Sequence, residues 1–126
     1  MSVVVGTNSD DNLDGTSNGD LIISGNGADT IDGGDGNDHI FSGNGDDVVE
    51  GGGGHDSIFS GNGDDTVDGG DGNDLIVSGN GDDTVDGGDG YDILDLSGVT
   101  AGGINFASFD GIEEIRGSDH ASGDNW

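Results

Sequence analysis

The chain has no cysteine and no proline, and its single basic residue stands against 28 acidic ones, which gives a formal net charge of −27. The absence of cysteine excludes disulfide bonds, so thiols do not reveal the redox compartment. One basic side chain cannot neutralise a run of phosphates, which makes nucleic acid and anionic membrane surfaces poor partners. Cations are the natural partners of such an acidic surface.

Long apolar stretches are also missing. No run approaches the roughly 18 apolar residues that a membrane-spanning helix needs. Residues 1–10 hold neither a basic stretch nor a long apolar core, so we expect no cleaved signal peptide there. A length of 126 residues fits one domain. Low hydrophobicity with high charge is typical of disordered chains, but the order of the residues favours a folded repeat.

A nine-residue period runs without a gap from Gly6 to Asp95 and makes ten consecutive units. Typical units are SGNGDDTVD and GGDGNDLIV. The eighth position is always aliphatic, and glycine holds the second and fourth positions from the third unit onward. The sixth position is always aspartate: Asp11, Asp20, Asp29, Asp38, Asp47, Asp56, Asp65, Asp74, Asp83 and Asp92. Such regularity excludes chance.

Each unit divides into six turn residues and three strand residues. Glycine at alternate turn positions permits positive φ. Side chains alternate across a strand, so position eight points inward and positions seven and nine point outward. Two units make one coil of 18 residues. We therefore predict an all-β fold, a right-handed parallel β-roll (a β-solenoid) with two short-stranded sheets, a thin aliphatic core and an irregular C-terminal capping segment.

Stacked coils would bring the aspartates close together, and like charges repel. A divalent cation between successive turns would convert this repulsion into coordination, and its binding free energy would act as folding free energy. Carboxylates and carbonyls suit Ca²⁺, which accepts about six to eight oxygens in flexible geometry, whereas Mg²⁺ keeps its waters. An EF-hand is excluded because the sequence lacks its flanking helices and its glutamate at loop position twelve.

The unit resembles the RTX nonapeptide repeat, GGxGxDxUx with U a large aliphatic residue, which is a calcium-binding β-helix pattern. The resemblance covers residues 6–95 and weakens in the first two units, where Thr7 and Thr16 replace the second glycine. It implies that each ion lies between two successive turns on one side of the roll. One turn supplies the carbonyls at positions two and four with its aspartate, and the next supplies the carbonyls at positions one and three with its aspartate.

Carried onto this sequence, the resemblance implies two sets of backbone ligands and up to eight Ca²⁺ ions, four along each edge. Positions two and four are Gly25, Gly27, Gly34, Gly36, Gly43, Gly45, Gly52, Gly54, Gly61, Gly63, Gly70 and Gly72. Positions one and three are Ser42, Asn44, Gly51, Gly53, Ser60, Asn62, Gly69, Asp71, Ser78, Asn80, Gly87 and Asp89.

One outer face of the roll is apolar. Even-numbered units carry Ile23, Phe41, Phe59 and Val77 at position nine, and an exposed stripe of this size is an association site. Two alternatives stay open: self-association or docking of a neighbouring domain, and coverage by residues 96–126. That segment supplies Ile104, Phe106, Phe109, Ile112, Ile115 and Trp126.

We expect three parts in the chain: a cap strand at residues 1–5, the roll at 6–95, and a segment at 96–126 that caps the roll or leads into a further repeat block. The second alternative rests on residues 123–126, which match residues 19–22 in form. The chain would then be a fragment of a longer protein. Capping units of repeat proteins are atypical, so degeneracy alone does not decide.

The resemblance implies a calcium-binding structural module of a secreted protein, exported from bacteria by the type I route and folded by external Ca²⁺. We expect no catalytic activity, since HExxH is absent, His39, His55 and His120 are isolated, and Ser60 has no triad partners. The alternatives are an adhesin spacer, a docking module that uses the apolar face, and an accessory domain of a secreted enzyme.

Overall fold

The computed structural model describes residues 1–97 and 108–117, and within these ranges it consists of strands and turns without helix. The strands are β1 (Val3–Val5), β2 (Asn12–Thr16), β3 (Leu21–Asn26), β4 (Thr30–Gly34), β5 (His39–Asn44), β6 (Val48–Gly53), β7 (Ser57–Phe59), β8 (Thr66–Asp71), β9 (Leu75–Val77), β10 (Thr84–Asp86), β11 (Ile93–Asp95), β12 (Ser108–Asp110) and β13 (Glu114–Arg116). The described ranges contain no helix that could cross a membrane.

Successive strands alternate between two parallel sheets. The even sheet, formed mainly by even-numbered units, has the order β1-β3-β5-β7-β9-β11-β13. The odd sheet has the order β2-β4-β6-β8-β10-β12. Paired residues within the repeats are one coil apart, as in Ile40 with Ile58 and Val49 with Val67. The predicted parallel β-roll with 18 residues per coil is therefore confirmed.

The core is a single file of aliphatic side chains between the sheets. Position eight points inward in each unit, and its flanking residues are half-buried or exposed, because side chains alternate along a strand. Burying one such side chain contributes about 1.5–3 kcal/mol. The buried members from the repeats are Ile22, Ile31, Ile40, Val49, Ile58, Val67, Ile76, Val85 and Leu94, and Leu13 is partly buried against them.

The turns depend on glycine at positions two and four. Gly45 has φ of 129°, a conformation that side chains disfavour. A Cβ atom at Gly45 would also collide with the carbonyl oxygen of Gly27, one coil earlier. Every residue with positive φ in the described ranges is a glycine, so the glycine pattern serves both backbone conformation and close stacking.

The last coil departs from the repeat. Strand β13 pairs with β11 through Leu94 and Ile115, which are 21 residues apart instead of 18. Ile112 packs against the core, and Ile115 lies in the even sheet. These two residues therefore belong to the roll and do not lie over its apolar face. The other residues proposed to cover that face, and residues 123–126, lie outside the described part, as does the Phe109 side chain.

Candidate metal sites along the edges of the roll

The position-six aspartates form two columns, one along each edge of the roll. Nine of the ten side chains are at most 3% exposed, and Asp11 is half-buried. The odd edge carries Asp11, Asp29, Asp47, Asp65 and Asp83, and the even edge carries Asp20, Asp38, Asp56, Asp74 and Asp92. The structure thus brings all ten aspartates predicted from the sequence into two linear arrays.

One repeated hydrogen bond holds each column. The backbone N–H of one aspartate donates to Oδ1 of the aspartate one coil later. The distance is 2.9 Å from Asp47 N to Asp65 Oδ1, and 2.8 Å from Asp56 N to Asp74 Oδ1. This contact fixes the orientation of the carboxylate and satisfies one of its two oxygens.

The second carboxylate oxygen has no hydrogen-bond partner at most of these positions. The buried Oδ2 atoms without a partner are those of Asp29, Asp38, Asp47, Asp56, Asp65, Asp74 and Asp92. A buried acceptor without a partner is costly, and an ionised one more so. Such a recurrent group requires an explanation, and a bound cation is the partner that fits a row of carboxylate oxygens.

The columns are also electrostatically unfavourable. Unit charges one strand spacing apart, about 4.8 Å, repel by roughly 3 kcal/mol at an effective dielectric constant of about 20. Burial raises the pKa of Asp65 to about 7, and the charges of Asp83 and Asp47 add to this. Burial likewise raises the pKa of Asp56 and of Asp74 to about 6. The protein therefore resists ionisation of these carboxylates when no cation is present.

Backbone carbonyls of the same turns supply further oxygens. The carbonyl of Gly43, at position two, accepts a ladder bond from Asn62 N at 2.9 Å, and the Asn62 carbonyl accepts one from Gly45 N at 2.9 Å. A carbonyl has two lone pairs, so each of these oxygens keeps one. The Gly45 carbonyl accepts no hydrogen bond from the described residues.

This donor set fits a hard cation. Within residues 1–97 and 108–117, no group of three or more acidic or histidine side chains surrounds a common point. A site between two turns would therefore combine two carboxylates with backbone carbonyls. Oxygen ligands alone favour Ca²⁺ over transition metals. The carbonyl ligands at positions one to four remain predictions.

The first turns satisfy their aspartates in a different way. Thr16 donates to Oδ2 of Asp20 through its backbone N–H at 2.6 Å and through its hydroxyl at 2.7 Å. Thr7 makes the same pair of contacts with Oδ2 of Asp11. The Thr16 hydroxyl is the largest cause of the lowered pKa of Asp20. Threonine in place of the second glycine was the feature of the sequence that could have indicated this contact.

Sequence reasoning missed two side-chain ladders on the odd edge. The first consists of buried serines at position one. The Ser42 hydroxyl donates to the Ser60 carbonyl at 2.7 Å, and Ser24 and Ser60 make equivalent bonds. The second consists of asparagines at position three, each donating from Nδ2 to the asparagine one coil earlier at 2.8–3.0 Å. Recurrence of these residue types every 18 residues was the available signal.

The family model for the RTX calcium-binding nonapeptide repeat (four copies) matches residues 5–40, 23–58, 32–67, 41–76 and 59–94. Neither a curated protein nor a solved structure matches the chain. The matched region contains both aspartate columns, and the description of the family names calcium as the ligand of its repeats. The chain therefore belongs to the RTX calcium-binding nonapeptide repeat family.

Proposed function

We propose that this chain is the calcium-binding structural module of a secreted RTX-type protein, and that it folds on binding Ca²⁺ after export. The observation that carries the proposal is the set of seven buried aspartate oxygens without a hydrogen-bond partner. Family membership supports calcium as the ligand. When bound, Ca²⁺ would supply positive charge between the aspartate carboxylates and turn carbonyls of successive coils.

The physical basis is a difference in stability between two calcium concentrations. At the low calcium of the cytosol, a net charge of −27 and the unsatisfied columns oppose the compact state. The chain then stays extended, as export through a type I channel requires. At the higher calcium outside the cell, binding free energy is added to the folded state alone.

The module has no catalytic role in this proposal. His39 and His55 lie at exposed positions on the surface. His55 Nδ1 accepts a hydrogen bond from Asn73 N at 2.7 Å, which is a structural contact between coils. His120 lies outside the described residues.

The test is circular dichroism during a calcium titration at neutral pH, with a matched pair of double variants. Asp47→Asn with Asp65→Asn removes two buried charges. Asp46→Asn with Asp64→Asn removes two charges at adjacent exposed positions. We expect β structure to appear only with calcium. Of the two double variants, only the one at the buried positions should need a higher calcium concentration to fold. A β-roll spectrum in calcium-free buffer, or equal behaviour of both pairs, would overturn the proposal.

A second candidate function, association with another copy, is favoured by the apolar face of the even sheet. The rings of Phe41 and Phe59 are stacked with centroids 4.8 Å apart, and Ile23 and Phe41 are 40% and 38% exposed. Sedimentation velocity in calcium tests it with the variant Phe41→Ser, Phe59→Ser. Association that the variant abolishes supports this function, and a monomer at all concentrations contradicts it.

A further inference from the structure

The carboxylate column of the even edge continues beyond the last repeat. The backbone N–H of Asp92 donates to Oε2 of Glu113 at 2.8 Å. This is the contact that Asp74 N makes with Asp92 Oδ1, also at 2.8 Å, one coil earlier. Glu113 therefore occupies the place of a position-six aspartate, although it follows Asp92 by 21 residues.

The presence of glutamate instead of aspartate at this place has a geometric reason. Only residues 111–113 lie between β12 and β13, where a repeat unit has six turn residues. The contracted turn leaves the backbone in a different place from that of a regular turn. The additional methylene of Glu113 lets its carboxylate reach the Asp92 N–H.

A backbone carbonyl of this turn also takes a place defined by the repeats. A Cβ atom placed on Gly69 would lie 2.5 Å from both the Gly87 carbonyl oxygen and Asp74 Oδ2. A Cβ atom placed on Gly87 would meet the Gly111 carbonyl oxygen and Asp92 Oδ2 in the same way. The Gly111 carbonyl thus stands where the position-one carbonyl of a further repeat would stand.

Asp92 supplies an independent sign of a ligand at this place. Its side chain is fully buried, and its Oδ2 has no hydrogen-bond partner. The negative charges of Glu113, Asp86 and Asp89 act on this carboxylate. An unpartnered oxygen surrounded by negative charge is a favourable position for a cation.

We propose that Ca²⁺ also binds between Asp92 and Glu113, outside the ten repeats, with the carbonyls of Gly88, Gly90 and Gly111 as further ligands. This site rests on the proposed function. It adds a fifth interval to the four that separate the five repeat aspartates of the even edge. The added ion fastens β13 to the roll, so the end of the roll forms with calcium.

The test counts bound calcium by equilibrium dialysis and measures affinities by calorimetry on the full chain. Glu113→Gln removes the charge but keeps an oxygen that can accept from the Asp92 N–H. Glu50→Gln removes an equal charge from an exposed position of the odd sheet. We expect Glu113→Gln to lose one ion, or to weaken one ion about tenfold, and Glu50→Gln to retain the count of the unaltered protein.

A second variant separates charge from reach. Glu113→Asp keeps the charge on a shorter side chain, so we expect it to lose the same ion as Glu113→Gln. Circular dichroism at saturating calcium verifies that each variant is folded. If the unaltered chain binds calcium and both Glu113 variants bind the same number with unchanged affinity, this site is refuted while the proposed function stands. If the unaltered chain binds no calcium, the proposed function fails.

Discussion

Asp47 donates its backbone N–H to Oδ1 of Asp65, one coil later, and Oδ2 of Asp65 is left buried without a partner. The same relationship recurs along both edges of the roll. The hydrogen bond aligns the column, and the second oxygen makes the column depend on something else for its stability.

The calcium-free roll should gain stability in acid. Burial raises the folded-state pKa of Asp65 to about 7 and of Asp56 and Asp74 to about 6, while an unfolded aspartate titrates near 3.9. The folded state therefore binds more protons between these values, and its stability falls as pH rises from about 4 to about 7. Circular dichroism in resin-treated, calcium-free buffer measures this, because the β structure that is absent at neutral pH should appear as the pH falls to about 4.

The control for this pH dependence is Asp65→Asn, which should make the calcium-free β structure less dependent on pH, because it removes the carboxyl whose pKa burial raises to about 7. Stability that increases with pH in calcium-free buffer would contradict the account. With calcium present we expect the reverse trend, because protons and Ca²⁺ compete for the same carboxylates.

The threonine hydroxyl in the second turn should stabilise the protein measurably. Thr16→Val removes the donor to Asp20 Oδ2 while keeping the shape of the side chain. We expect a loss of about 1–2 kcal/mol in the free energy of unfolding, since a charged acceptor loses one of its two donors and keeps only the Thr16 backbone N–H. Thr30→Val, at an exposed strand position, is the matched control. Equal stability of the two variants in saturating calcium would argue against a stabilising role of the Thr16 hydroxyl.

Two neighbouring repeat units offer a matched test of the glycine pattern. Gly45→Ala puts a side chain at φ of 129° and against the Gly27 carbonyl, so we expect a loss of more than about 2 kcal/mol. At Gly53, φ is not positive, and a Cβ atom would approach only Asp35 Oδ1, at 3.3 Å. Gly53→Ala should therefore change the melting temperature little. Similar melting temperatures for both variants would disprove the stacking argument.

Most of the roll could be predicted because its physics is periodic. Aspartate at position six and an aliphatic residue at position eight, such as Asp56 and Ile58, recur every nine residues. Alternation along a strand then determines which side chain is buried. The position of Glu113 at the end of the column could not be predicted. A coil of 21 residues breaks the period, and a glutamate accepts the hydrogen bond that an aspartate accepts in the repeats. Leu96 joins the core at 2% exposure from a position where the repeats carry serine or glycine.

The side-chain hydrogen bonds of the turns also could not be predicted from the sequence. From the sequence alone Thr16 is only a departure from glycine, since its contact with Asp20 depends on the local backbone path. The asparagine ladder through Asn44 and Asn62 required the coil spacing to be known before its side chains could be placed together.

The most direct test is a crystal structure of the protein grown in calcium, with an anomalous difference map measured at a wavelength where calcium scatters strongly. The account predicts peaks along both edges, each beside an Oδ2 atom such as those of Asp47 and Asp65 and within coordination distance of turn carbonyls. Ordered protein with water, and no anomalous signal, between these carboxylates would contradict it.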